Sequence, residues 1–330
     1  MKDQVHQTRF LNILKQLVPP NINLAHEISS VLGISVDRAY RRLRGETPLT
    51  LDEAVVLSLR FEVPLEAMNN EIPDVITFHF NKLQNTRESF LNYMTDLAGQ
   101  VKQIARGGSP YITYAAEDIP VFHHFAWPLM ARFKSMYWMK SILNVPELEM
   151  EKFPCSEEIC LSDERYLQLY DGYASIPGTE IWTDVTIESS LQQIRFYYDA
   201  GFFKEKKDAL DICEQLNLLM RRLQRQTEIG QKINSNGAST GAPFTFYLCD
   251  LMIGNNGVQV QSGESSTSFI GYNSFNYMHT FNHFFNKQNK QWLDNLIRKS
   301  MLISGVAEKL RNQFFKGQFR KIEQLVEYIG

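Results

Sequence analysis

A chain of 330 residues is longer than one ordinary hydrophobic core can serve, so two or more domains are expected, and 44% apolar with 22% charged residues excludes the disordered and collagen-like classes. A net charge of −3 excludes any general attraction to nucleic acid and leaves such contacts to local placement of charge. The four cysteines, Cys155, Cys160, Cys213 and Cys249, form no CxxC pair and argue against a disulfide scaffold. Stretch 1–7 is polar, without the apolar core of a signal peptide, and no apolar run reaches membrane-spanning length, so a cytoplasmic location without a membrane partner is expected.

In chain order, the first predicted helix is Val5–Leu17, where Val5, Phe10, Ile13, Leu14 and Leu17 recur at helical spacing until Pro19-Pro20. Asn23 can cap a short second helix that buries Leu24, Ile28, Val31 and Leu32 and stops at Gly33. Ser35 can cap a third through Val36, Ala39, Tyr40 and Leu43, ended by Gly45. Thr50 and Glu53 form a capping box that opens a fourth helix, expected to bury Leu51, Val55 and Leu59, and Pro64 opens a small fifth through Met68.

From Ile76 onward, Ile76, Phe80, Leu83, Phe90, Met94, Leu97, Val101 and Ile104 alternate steps of four and three, with Arg87 at the one position out of pattern. This heptad seam predicts a linking helix, either a coiled coil between two protomers or a helix packed on its own domain, ending at the breaker Gly107-Gly108-Ser109-Pro110. Beyond it, 111–115 reads as a strand, 120–143 as aromatic-rich helix interrupted near Pro128, and 187–198 and 208–229 as helices. Segments 244–253 and 258–261 read as a hairpin around Gly254-Asn-Asn-Gly257, 268–278 as a third strand, and two helices close the chain. The expected class is therefore α+β: an all-α domain over 1–70, a linking helix over 71–106, and a larger mixed α/β domain over 107–330 with a small antiparallel sheet.

Segment 24–45 resembles the helix-turn-helix of the lambda-repressor and Cro family, and the continuation through Met68 matches that family's later helices. The likeness rests on Ile28, Leu32-Gly33-Ile34-Ser35 and Gly45, followed by Pro48-Leu49-Thr50-Leu51-Asp52-Glu53 and Val63-Pro64-Leu65. Two positions depart from the pattern: Ser29 stands where alanine is usual, and Arg42 where an apolar residue is common. The resemblance implies that double-stranded DNA is the partner and that the third helix enters the major groove.

Residues 1–68 hold eight Lys and Arg against eight Asp and Glu, so the electrostatic case rests on the four arginines between 38 and 44. With Val36, Ala39, Tyr40 and Leu43 facing the core, Asp37, Arg38, Arg41 and Arg42 face outward, and an arginine fork suits both guanine edges and phosphate. Ser35, Asp37, Arg38 and Arg41 are expected nearest the bases, Arg42 and Arg44 at the DNA backbone, and Asn23 and His26 beside phosphate at the start of the second helix.

The reading is thus a transcription regulator, a homodimer if the seam pairs two protomers, with 107–330 responding to a small-molecule or protein effector. An enzyme or toxin-like effector with an autoregulatory DNA-binding head, and a partner-binding architectural protein, are the alternatives. Aromatic clusters at Phe122 to Trp138 and Tyr272 to Phe285 read as core before pocket. His279 and His283 have metal-pair spacing, but Thr280 stands where a zinc protease carries glutamate, and the adjacent His123 and His124 cannot both face one ion from a helix. Gly254-Asn-Asn-Gly257 lacks the Lys-Ser/Thr of a phosphate loop and there is no nucleophile elbow, so no catalytic residue, metal ligand or cofactor is assigned.

Overall fold

In the computed structural model of the chain, which describes residues 5–17, 23–61, 63, 65, 76–155, 157–263 and 265–330, helix starts fall where a side chain can satisfy the first free amides. The Asn23 Oδ1 accepts from the Ala25 amide at 2.9 Å, and the Ser35 Oγ from the Arg38 amide at 3.4 Å. Thr50 and Glu53 exchange both bonds of the capping box, at 3.0 and 3.1 Å. These caps open α2 (Leu24–Leu32), α3 (Val36–Leu43) and α4 (Leu51–Phe61), which follow α1 (Val5–Leu17). Gly33, at φ +64°, ends α2 in a left-handed turn that a side chain would strain. All four helices belong to a unit formed by Met1–Phe78 and Asn282–Phe285.

The core of this unit gathers Phe10, Leu14, Ile28, Ala39 and Leu57. Here α4 departs from expectation: Leu57 is buried with Ala54 and Phe61 against it, whereas Val55 faces out and Leu51 and Leu59 are 74% and 75% exposed. The sequence of α4 carries apolar residues on both stripes, so periodicity alone could not choose the inner one. Tyr40 also faces outward, and Arg42 is turned in. The expected fifth helix, 64–68, lies apart from Leu65 outside the described residues.

The rest of the chain forms, in order, β1 (His79–Phe80), α5 (Arg87–Ala105), β2 (Tyr111–Ala116), α6 (Val121–Phe125), α7 (Pro128–Tyr137), α8 (Asp163–Ala174) and β3 (Gly178–Trp182). There follow α9 (Glu188–Asp199), α10 (Lys206–Ile229), β4 (Gln231–Ile233), β5 (Ser239–Leu248), β6 (Gly257–Ser262), β7 (Ser265–Tyr272), β8 (Asn276–Thr280), α11 (His283–Arg298), β9 (Met301–Leu302) and α12 (Glu308–Ile329). The second unit comprises His79–Phe281 and Asn286–Gly330. Its strands form one sheet in the order β1-β8-β7-β6-β2-β3-β5-β4, with β9 on β5. The class is α+β.

That sheet is larger than expected, with nine strands among the described residues, and it is mixed: β2, β3 and β5 run parallel at its centre while the remaining pairs are antiparallel. Alternation along the central strands sends Tyr114, Trp182 and Phe246 into the main core with helices that include α7, α10 and α12. Ala115, Ile181 and Cys249 point to the other face and meet Leu293 and Leu296 of α11. Gly257 permits the close approach of α11, since a Cβ there would lie 2.8 Å from the Trp292 ring.

Three further expectations give way. The seam does not form one long helix, because residues 79 and 80 are strand and α5 starts only at Arg87, capped by the Thr86 hydroxyl accepting from the Ser89 amide. Its members Phe90, Met94 and Val101 are buried in the core of their own unit, which is the packed-helix alternative and not a coiled coil. The hairpin of 244–253 with 258–261 is absent: β5 pairs with β3, β4 and β9, and β6 with β2 and β7. β2 and β3 lie between β5 and β6 in the sheet, and Asn256, read as a turn residue, has its Oδ1 accept from the Glu117 and Asp118 amides at 2.9 and 3.3 Å. The single strand 268–278 is two strands, β7 and β8, joined by the three-residue loop Asn273-Ser274-Phe275, in which Asn273 and Ser274 are both at positive φ.

Candidate functional site

On α3 the four arginines have different fates. Ala39 is fully buried and Val36 and Leu43 pack beside it, which fixes the helix's inner stripe and turns Asp37, Arg38, Tyr40 and Arg41 to solvent. Arg41 pairs with Asp37 one turn earlier at 3.2 Å, both exposed, an arrangement worth a few tenths of a kcal/mol that a competing anion would easily replace. No described residue makes an ion pair with Arg38. Arg44, beyond the helix end, holds Glu46 at 2.6 Å in the open, and this hydrogen bond raises the arginine's pKa and lowers the glutamate's.

Arg42 is committed elsewhere. Its Nη2 and Nε donate to the two carboxylate oxygens of Glu53 at 2.6 and 3.0 Å, with both side chains largely covered, so the guanidinium placed at the DNA backbone by sequence belongs to the frame of the unit. Glu53 therefore ties three things together, α3, the Thr50 amide and its own helix start. The departure at Ser29 is likewise structural: its hydroxyl donates to the Ile34 carbonyl at 2.6 Å and braces the turn before α3.

The start of α2 adjoins this outer face. Asn23 caps α2 through its oxygen, and its Nδ2 donates to the Tyr40 hydroxyl at 3.0 Å, joining the phosphate-side candidate to the exposed side of α3. His26, in the first turn, is exposed. Ser35 spends its oxygen on the cap and keeps its O–H as an outward donor. Asn23, His26, Ser35, Asp37, Arg38, Arg41 and Arg44 thus all lie at the surface, and Arg42 does not. Sequence reasoning missed Tyr40 as a surface group, and it missed Gln7. That side chain donates to the Arg42 and Thr47 carbonyls at 3.0 Å each and accepts from the Leu49 amide at 2.8 Å, clamping the loop behind α3. No local signal marks Gln7, because its partners lie at least 35 residues away.

No family model, curated protein or solved structure matches the chain.

The larger unit holds charge in its core. Glu180, in the central strand β3, is buried and accepts from His123 Nε2 at 2.8 Å, the Tyr173 hydroxyl at 2.7 Å and the Trp182 indole at 2.8 Å. Burial alone would raise its pKa, but the charge and hydrogen bond of His123, with Lys232 and Tyr173, hold it below the usual carboxylate range. Lys232, 3.6 Å above the Tyr173 ring, is pulled down to about 7 by burial, with the Glu180 charge acting the other way. His124 turns away from this cluster and comes within 3.4 Å of Ser190, which also accepts from the buried Lys134 at 3.0 Å. Burial lowers the pKa of both His124 and Lys134.

Buried networks of this kind fix side chains in a core, and every group named here is shut off from solvent. Among the described residues no group of three His, Cys, Asp or Glu could hold a metal ion, and no helix is long and apolar enough to cross a membrane. His279 stacks on His79 in neighbouring strands at 5.3 Å between ring centres. All four cysteines are buried and outside any disulfide, Cys155 and Cys160 with their sulfurs 3.7 Å apart.

Proposed function

We propose that the chain is a sequence-specific DNA-binding transcription regulator, with α3 of the amino-terminal unit read into the major groove of duplex DNA and the larger unit serving as its regulatory domain. One observation carries the reading: a short α2, a left-handed glycine turn and a capped α3 whose inner stripe leaves Arg38 and Arg41 on a single exposed face, next to the capped start of α2. Arg38 and Arg41 are the base-reading candidates, with Ser35 and Asp37 beside them. Arg44, His26 and Asn23 supply phosphate contacts. Tyr40, held by Asn23, joins the surface set, and Arg42 supports the helix from behind.

Symmetric operators call for paired heads, so a homodimer remains part of the proposal. Since Phe90, Met94 and Val101 are already buried within one chain, that pairing has to use a surface other than the heptad seam. Genome-wide recovery of DNA bound to the full chain tests the function: discrete sites sharing a short motif support it, and recovery spread evenly over the genome contradicts it.

A further inference from the structure

Between α5 and the face of the sheet made by β2, β6, β7 and β8 lies a cavity of about 70 Å³, partly open to solvent and walled mostly by apolar side chains. Leu97, Val101 and Ile104 form its helical wall, and Val258, Val260 and Phe269 face them from the sheet. The walls are set in place without a ligand. Tyr93 of α5 donates to the Phe275 carbonyl at 2.9 Å, and the Tyr114 and Tyr277 hydroxyls bond to each other at the inner end, so little ordering remains to be done on binding.

The chemistry of the lining decides what it can take. No Asp, Glu, Lys or Arg is part of it. His279 lines one side, and burial together with neighbouring His79 lowers its pKa to about 4, so it is neutral at physiological pH. A charged guest would give up much of its hydration and meet no counter-charge, which disfavours it against a neutral one of the same shape. Polar groups are few: the paired Tyr114 and Tyr277 hydroxyls, the Tyr93 hydroxyl already donating to Phe275, the Gln100 and Asn81 amides and the His279 ring, enough for one or two hydrogen bonds that orient a guest. We infer that this cavity binds a neutral, predominantly apolar small molecule carrying one or two hydrogen-bonding groups.

The effector role of such a molecule rests on the regulator reading above, whereas its binding does not. In sequence, α5 follows β1 after the chain's first passage from one unit to the other at Phe78, and Leu97 and Ile104 of that helix line the cavity.

The probe for the test is N-phenyl-1-naphthylamine, which is neutral and apolar with a single N–H, titrated into the full chain and followed by its fluorescence. Its sulfonated analogue 8-anilino-1-naphthalenesulfonate differs mainly by a negative charge. Expected are saturable binding of the neutral probe at about one per chain and binding of the sulfonate at least about tenfold weaker. Ile104→Trp, at a partly buried wall position, fills the space and weakens the neutral probe about tenfold or more. Gln100→Lys keeps the proposal falsifiable should that variant fold poorly, because a cation in the wall has to weaken the neutral probe and strengthen the sulfonate, a reversal that loss of fold cannot produce. Absence of saturable binding, equal affinity for the two probes, or variants indistinguishable from the parent chain would each overturn the inference. No DNA enters the measurement, so that failure would leave the helix-turn-helix reading as it stands.

Discussion

Arg42 and Glu53 meet through two parallel hydrogen bonds, 2.6 and 3.0 Å long, that fasten α3 to the capping box of α4. The pair is neither solvent-washed nor deeply buried, which puts its removal between the small cost of surface ion pairs and the larger one of core pairs. Arg42→Ala is expected to destabilise the amino-terminal unit by about 2 kcal/mol, the scale of charged hydrogen bonds. Hydrogen exchange of α3 and α4 amides in the full chain checks this, with faster exchange in both helices expected; unchanged protection would show the pair to be incidental.

The same carboxylate gives the unit an acid limit. The Arg42 hydrogen bond, aided by the Thr50 amide, holds Glu53 below the usual carboxylate range despite partial burial. A carboxylate lowered on folding adds stability that is present above its unfolded pKa of about 4.3 and is lost as pH falls through the folded value. Protection of α4 amides should therefore fall as pH drops below about 4.3, and the gap between the parent chain and Glu53→Gln should close on that descent. A constant gap would contradict the assignment.

In the larger unit a buried base gives a slope of the same sign at higher pH. Lys232, brought to about 7 by burial, releases its proton in the folded chain while the unfolded chain keeps it up to about pH 10. Between about pH 7 and 8.5 the unfolded state thus binds more protons and stability rises with pH on this account. Denaturant midpoints of the parent chain and Lys232→Met should converge or diverge with pH accordingly, the parent gaining on the variant as pH rises. Parallel curves would mean that Lys232 keeps its charge in the core.

On the outer face of α3 two arginines make different predictions. Arg41→Ala should cost about 1 to 3 kcal/mol in affinity and relax preference at one base pair. Arg44→Ala, out at the helix end, should weaken all duplexes alike. Titration against a set of single-base variants of a recovered site separates the two, and identical profiles would remove the division into base and phosphate contacts.

What the sequence disclosed was local. Asn23, Ser35 and the Thr50 and Glu53 pair were legible because each cap acts within about a turn of chain, and all three open helices. Facing was illegible wherever a distant partner decides it: Arg42 turns in because Glu53 awaits it, Tyr40 turns out toward Asn23, and α4 offers two apolar stripes. Strand pairing failed for the same reason, since Asn256 looks like a turn residue until its bonds to Glu117 and Asp118 are seen. Neither β3 nor its buried Glu180 left a mark, because a glutamate in Gly-Thr-Glu-Ile-Trp is indistinguishable from a surface one until His123, Tyr173 and Trp182 converge on it.

The most direct measurement is selection from a pool of randomised duplexes at low salt by the full chain and by its Arg38→Ala/Arg41→Ala variant, each shown to be folded. The account predicts that the parent chain enriches a defined motif and that the double variant loses the motif while keeping its fold. Failure of the parent chain to enrich any sequence, or enrichment of the same motif by both proteins, would contradict it.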